Sequence, residues 1–267
     1  MGLKLNSIFI RTLTEKVMEV EEQIRRIEIK GKRHYQVSKG GIILGTFPSV
    51  TSVLGETSDK SGLDKWRQKV GEAEADRISK LSMNRGTVMH RLIELYKPLT
   101  GSKEEKLESI KWHLRNDREI KSFDEEYILQ GFEFFMKFYT NSGQFFDRVE
   151  RVLAAEKFLW SVKGGGYAGT VDNVSLLTDR GVTVIDYKNS RKPKTEAWIQ
   201  DYFIQASAYT IAFWERTGTR PKGVEIWIAN EQEAIPQVFS LTESDIKFYF
   251  KEFQKRLVQY KLLHWNI

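Results

Sequence analysis

Asp186 and Lys188 stand two residues apart at the end of a short β-branched run, Val182-Thr183-Val184-Ile185, bounded by Gly181 before it and Asn189-Ser190 after it. That pattern predicts a buried strand ending in charges. Residues two apart on a strand share a face, so the carboxylate and the ammonium should lie side by side next to a core. Asp172 follows the apolar-flanked segment Tyr167 to Val171, and Thr178 to Gly181 is a hairpin-length connection, so the two strands should be neighbours with Asp172 approaching Asp186. Two carboxylates held that close repel unless a cation sits between them, and an oxygen cluster suits Mg²⁺ or Mn²⁺ better than zinc. A lysine beside such an ion can orient or deprotonate a water, or neutralise charge on a phosphate. Taken alone, Asp-x-Lys is more often a pair of solvated strand ends with a surface lysine.

Other residues extend the set. Gly86 and His90 are four apart on a segment of helical pattern and share a face, the glycine permitting close approach of backbone where the imidazole projects. Gln205 and Tyr209 likewise share a helix face. Glu156 lies in a strand pattern just before Asp172 and reads equally as a surface glutamate or as part of the site. Ser49 and Thr51 open a short helix, where their hydroxyls serve as caps or as phosphate donors. Ser190, Arg191, Lys192 and Lys194 leave the Lys188 strand directly beside the carboxylates and are candidates to contact a nucleic-acid backbone. His34, His113 and His264 have no such context.

Together these residues resemble the RecB-type branch of the PD-(D/E)XK nucleases, and within it the exonucleases typified by the mitochondrial genome maintenance exonuclease and its bacterial and phage relatives. The resemblance runs from about Pro48 to Trp214. It rests on Pro48-Ser49-Val50-Thr51, Gly86-x-x-x-His90, Glu156, Gly169-x-x-Asp172, Ile185-Asp186-Tyr187-Lys188 with Ser190 to Lys194, and Gln205-x-x-x-Tyr209. It implies that His90, Asp172, Asp186 and the backbone carbonyl of Tyr187 bind Mg²⁺ or Mn²⁺, with Glu156 in a supporting or second-metal role. It further implies that Lys188 is catalytic and that Gln205 and Tyr209 support the site. The expected partner is single-stranded DNA, with RNA or flap and junction DNA as alternatives.

Composition sets bounds. The chain has 267 residues, a net charge of +6 and 40% hydrophobic residues, enough for one sizeable core with an elaboration. The basic balance suits a polyanionic partner, weakly by itself. No cysteine is present, so thiolate metal sites are excluded, including the iron–sulfur cluster that some RecB-type relatives carry. No segment reads as a signal, transit or transmembrane sequence, so the expected setting is cytoplasmic, in a bacterial or phage-encoded protein without a membrane partner.

Several elements must position these groups. Leu13, Val17, Val20 and Ile24 are spaced for an amphipathic helix or arm over residues 1–26. Ile27 to Leu44 alternates with Lys/Gly turns as an antiparallel meander. The pattern then predicts a short helix from Pro48 stopped by Gly55, a helix over 62–80, a second helix carrying His90 that stops before Pro98, and helices over 103–115 and 123–139. Phe132, Phe134, Phe135 and Phe138 on the last of these read as a core stripe rather than as stacking residues. Strands over 149–160, 167–177 and 182–187 follow. Next come a helix capped by Thr195 and ended at Gly218, a strand over 224–229 parallel to the Asp186 strand, and a final helix over 242–265. The expectation is one compact α/β unit with a restriction-endonuclease-like core: a mixed central sheet of about four strands flanked by helices, with an N-terminal β-hairpin and a helical elaboration packed on one side. Residues 1–46, 47–142 and 143–267 correspond to the arm and meander, the helical region and the nuclease core. The expected activity is single-strand exonuclease action in DNA replication, repair or recombination. A structure-specific endonuclease and a non-catalytic nucleic-acid-binding module are the alternatives.

Overall fold

A computed structural model describes residues 22–264. A three-stranded antiparallel sheet comes first: β1 (Glu22–Ile29), β2 (Lys32–Lys39) and β3 (Ile42–Pro48). Then follow α1 (Val50–Thr57), α2 (Ser61–Val70), α3 (Glu72–Tyr96), α4 (Lys103–Asn116) and α5 (Glu125–Thr140). The second half holds β4 (Val149–Ser161), β5 (Tyr167–Leu177), β6 (Gly181–Ser190), α6 (Gln200–Thr217), β7 (Gly223–Asn230), β8 (Gln237–Leu241) and α7 (Glu243–His264). Strands β4 to β8 form one mixed sheet in sequence order, antiparallel except for the parallel β6–β7 pair that α6 connects. The expected α/β architecture is therefore present, with β8 as a fifth strand beyond the four that were anticipated.

Strand alternation sends neighbouring residues into two cores. Val184, Val224, Ile226 and Ile228 pack with α1, α6 and α7, through Val53, Phe203, Phe213, Phe253 and Leu257. Ile185, Tyr187, Trp227 and Ala229 pack on the opposite face with α3, α4 and α5, through Met89, Leu92, Ile110, Phe135 and Phe138. The aromatic stripe of α5 is thus core, as its spacing implied. The helical region does not all lie on one side, because the apolar face of α1 docks with α6 and α7 while α3 to α5 cover the other face.

Glycine placement accounts for several departures from the sequence pattern. Gly71 adopts φ 85° and splits the helix expected over 62–80, so residues 72–80 join the His90 segment in one helix of 25 residues. Gly55 lies inside α1 instead of ending it. Thr195 makes no cap bond; a 3₁₀ turn over Glu196–Trp198 intervenes, and α6 starts after Ile199. At the N-terminus, Ile24 belongs to β1, while Leu13, Val17 and Val20 lie outside the described residues. A Cβ built at Gly131 would stand 2.6 Å from Val88 Cβ and 2.8 Å from the Arg85 carbonyl oxygen, so α3 and α5 approach closely only because this residue is glycine.

The two helical glycines should respond oppositely to alanine. Gly131→Ala must push α3 from α5 and should cost about 1–3 kcal/mol. Gly55→Ala meets nothing within 4 Å and should gain about 0.5–1 kcal/mol from helix propensity. Thermal unfolding of both variants checks the pair; equal melting temperatures would contradict the helix contact.

Candidate metal centre and active site

The site forms where β5 and β6 part. Their backbone pairing runs from Leu177–Gly181 to Asn173–Ile185 and stops there, while β6 continues against β7 to Ser190–Asn230. Across the gap the Asp172 side chain takes over the ladder's role, its Oδ2 accepting from the Tyr187 amide at 3.0 Å. Asp172, Asp186 and Lys188 thus come together as their spacing implied. Asp186 is 2% exposed; its Oδ1 accepts from Gln205 Nε2 at 3.1 Å, and its Oδ2 pairs with Lys188 Nζ at 2.5 Å without the alignment of a directed hydrogen bond.

His90 reaches the same place from α3. Its Nε2 lies 2.8 Å from the Tyr187 carbonyl oxygen, and its Nδ1 faces Asp172 Oδ2 at 3.6 Å and Glu156 Oε1 at 3.9 Å. With the proton on Nε2 donated to that carbonyl, the Nδ1 lone pair points at the carboxylates, which is how a metal-binding histidine is usually oriented. The Tyr187 carbonyl, expected among the ligands, accepts from the imidazole, and a carbonyl oxygen has a second lone pair. Glu156 lies on β4 with φ 44°, a left-handed backbone that costs a non-glycine residue about 1 kcal/mol or more and persists where the surrounding structure over-determines it. Donor atoms of His90, Glu156 and Asp172 all lie within 4.8 Å of one another.

This donor set fits a divalent cation. Two carboxylates and an imidazole converge beside the Asp186–Lys188 ion pair. The charges report the same crowding. Burial pushes the Asp186 carboxyl up to about 6, an effect that Lys188 opposes and Asp172 reinforces. Burial would lower the Lys188 and His90 values, but the carboxylates outweigh it and both are raised: Asp186 and Asp172 act on Lys188, Asp172 and Glu156 on His90.

Helix α6 supports the site from below. Gln205 orients Asp186, and Tyr209, one turn on, fills the space over Gly169, where a Cβ would stand 2.8 Å from the Tyr209 hydroxyl oxygen. Gly86 has a parallel purpose: a Cβ there would meet Asn189 Nδ2 at 2.5 Å. Asn189 ties the end of β6 to α3 by donating to the Ser82 carbonyl and accepting from Ser82 Oγ and Arg85 Nε. Arg85, 1% exposed, also donates to Gln130 and Glu231. Lys97 lies behind the site, its Nζ 3.2 Å from the Asp172 carbonyl oxygen and 4.8 Å from the Tyr187 ring centroid, and burial brings its value down to about 8. Sequence reasoning had singled out none of Ser82, Arg85, Lys97 or Asn189. Closeness in sequence to Gly86 or Lys188 is the one signal for Ser82, Arg85 and Asn189, and Lys97 has none. Ser82, Gly86, Thr87, His90, Arg91 and Glu156 are among the residues that line a cleft of about 600 Å³ on this side.

The expected phosphate contacts separate into two groups. Ser49 is 1% exposed and its Oγ caps α1 through the Ser52 amide at 3.0 Å, which leaves it inside the structure. The exposed Thr51 hydroxyl accepts from Arg33. Ser190 Oγ donates to the Lys192 carbonyl at 2.7 Å and shapes the turn. Arg191 and Lys192 are exposed and Lys194 is half-buried, beyond the end of β6.

A mixed sheet with clustered carboxylates and a lysine at a parted strand pair defines a metal-handling α/β protein of nuclease type. The comparisons agree: residues 57–261 match the PD-(D/E)XK nuclease superfamily, and the chain belongs to it. Members of this superfamily typically act on nucleic acid with a divalent metal. No curated protein matches the chain. Among solved structures, one titled "Crystal structure of SSO0001" is similar over 61% of this chain and 73% of its own, at 14% identity and a TM-score of 0.30. Among the described residues no helix is long and apolar enough to cross a membrane.

Because Asp186 titrates near 6 and a cation needs the carboxylate, divalent-ion affinity should fall as pH drops through that value, with protonation of His90 acting in the same direction. Calorimetric titration with Mn²⁺ at about pH 5 and about pH 7.5 should show a loss of roughly tenfold or more at the lower pH. Equal affinities would remove Asp186 and His90 from the metal's surroundings.

Proposed function

We propose that the protein is a Mg²⁺- or Mn²⁺-dependent exonuclease that hydrolyses phosphodiester bonds at the ends of single-stranded DNA during replication, repair or recombination. The observation that carries the catalytic part is the convergence of Asp172, Asp186 and Lys188 with His90 and Glu156 at the parting of β5 and β6. A non-catalytic binder has no use for clustered carboxylates facing a polyanion. Asp172, Glu156 and His90 are the residues that would hold the cation, with Asp186 beside them. A divalent ion bound there supplies the positive charge that lets a phosphate approach these carboxylates.

The remaining steps belong to the chain. Lys188 stays an ammonium, since its value is raised by Asp186 and Asp172. It is suited to donate a hydrogen bond to the attacking water or to a phosphate oxygen, and to offset charge developing there. Gln205 fixes the Asp186 carboxylate against which Lys188 is held. His90, anchored by the Tyr187 carbonyl, keeps Nδ1 turned to the carboxylates. Arg191, Lys192 and Lys194, beyond the end of β6, would meet the backbone of the strand beyond the cut. The requirement for a free end rests on the resemblance to single-strand exonucleases and on the helices α3 to α5 standing over one face of the site.

Cleavage should vanish in EDTA and return with Mg²⁺ or Mn²⁺, and Asp172→Asn or Asp186→Asn should each lose roughly 10³-fold in turnover. Lys188→Ala should stop cleavage while binding of an oligonucleotide stays within a few-fold. Robust activity in chelator, or near-normal turnover in either aspartate variant, would sink the proposed site. End dependence is read from end-labelled single strands: a circular single strand should survive while the same molecule linearised is degraded. Cutting of both at equal rates would make the protein an endonuclease.

A further inference from the structure

The connection from β6 to α6 leaves the carboxyl ends of the parallel strands β6 and β7, where open α/β sheets usually bind ligands. It is held in shape throughout. Ser190 Oγ donates to the Lys192 carbonyl; the Lys194 amide donates to Gln237 Oε1 at 2.7 Å, and Gln237 Nε2 donates back to the Lys194 carbonyl at 3.0 Å. The Trp198 amide then donates to the Thr195 carbonyl at 2.9 Å, and Ile199 is fully buried. On this pinned turn the Trp198 side chain is 68% exposed, the most exposed tryptophan among the described residues.

Three of the other tryptophans have evident partners. Trp227 Nε1 donates to Glu225 at 2.7 Å, Trp160 Nε1 donates to Glu22 at 2.8 Å, and the Trp214 ring carries Lys163 and Arg220 at 5.1 and 5.2 Å. Among the described residues, the Trp198 indole has no hydrogen bond, ring pair or cation over its face. Four residues on, in the first turn of α6, Tyr202 covers the reacting lysine, with Lys188 Nζ 5.2 Å from its ring centroid. Exposed Arg191 and Lys192 precede the indole on the same connection. An exposed, unpartnered indole on a pinned backbone turn, after a basic segment and four residues before the tyrosine that covers Lys188, combines the two features by which proteins hold single strands, cationic groups for the backbone and an aromatic face for an unstacked base.

We infer that Trp198 is a stacking platform for one nucleobase of a single strand, next to the phosphodiester held at Lys188. This deepens the nuclease reading and rests on it. Because the turn is already ordered, stacking costs little conformational freedom. Duplex bases are stacked on each other, so the platform selects unpaired substrate.

The test measures binding by fluorescence anisotropy on a Lys188→Ala background, which stops turnover, with an oligo(dT) strand and a strand of equal length made of abasic sites. Trp198→Ala should weaken oligo(dT) binding about 5- to 100-fold, Trp198→Phe should recover most of it, and the abasic strand should bind equally to all three proteins. The salt dependence for oligo(dT) should not change, since the indole contacts no phosphate. Unchanged oligo(dT) affinity in Trp198→Ala would overturn the inference, as would an equal loss on the abasic strand, which marks a general structural effect. If the parent chain with Lys188 in place cuts DNA while either of those results is found, the stacking platform falls and the nuclease reading stands. If that parent chain neither binds nor cuts nucleic acid, the nuclease reading itself has failed.

Discussion

Everything at this site depends on two strands that stop pairing. Beyond Asn173–Ile185, β5 and β6 diverge, and the vacated ladder position is taken by a carboxylate: Asp172 accepts the Tyr187 amide that a backbone carbonyl would otherwise have taken. An amide of β6 is thereby satisfied without closing the sheet. The same bond fixes the Asp172 carboxylate at the edge of the gap, beside Asp186 and within reach of His90.

The arrangement carries an electrostatic cost that the surrounding residues only partly offset. Asp186 is buried, and in compensation it has one amide from Gln205 and one ion pair with Lys188. Lys97 adds a second buried cation from behind the sheet, against the Asp172 carbonyl and the Tyr187 ring. Among the described residues neither lysine is ion-paired with Asp172 or Glu156, and the His90 Nδ1 facing them offers a lone pair in its neutral form. The surplus negative charge on that side is the physical reason the site suits a cation and, with the cation, a phosphate.

Close helix approach holds the histidine in register. Gly131 lets α5 touch α3 near Arg85 and Val88, and Gly86 lets the Asn189 side chain bind against α3. Asn189 in turn joins Arg85, and Arg85 joins Glu231 past the end of β7. The helix that presents His90 is therefore tied to the strand that presents Lys188 by one short polar chain, so the imidazole and the ammonium share a common frame.

Local chemistry was legible wherever it depended on spacing along one element. Asp186 and Lys188 had to share a strand face, Gly86 and His90 a helix face, and Gln205 and Tyr209 another, because the periods of strand and helix dictate it. The α/β class, the parallel β6–β7 pair and the α5 core stripe followed from the same periodicity. What the chain could not announce was anything set by contact between distant segments. The left-handed backbone of Glu156, the use of the Tyr187 carbonyl to orient His90, the burial of Ser49 as a cap, and the roles of Arg33, Arg85, Lys97 and Asn189 all depend on partners far away in sequence. Gly71 and Gly55 illustrate the limit: the same residue type broke one helix and continued another. A glycine permits many backbone conformations, and only the packing around it selects one.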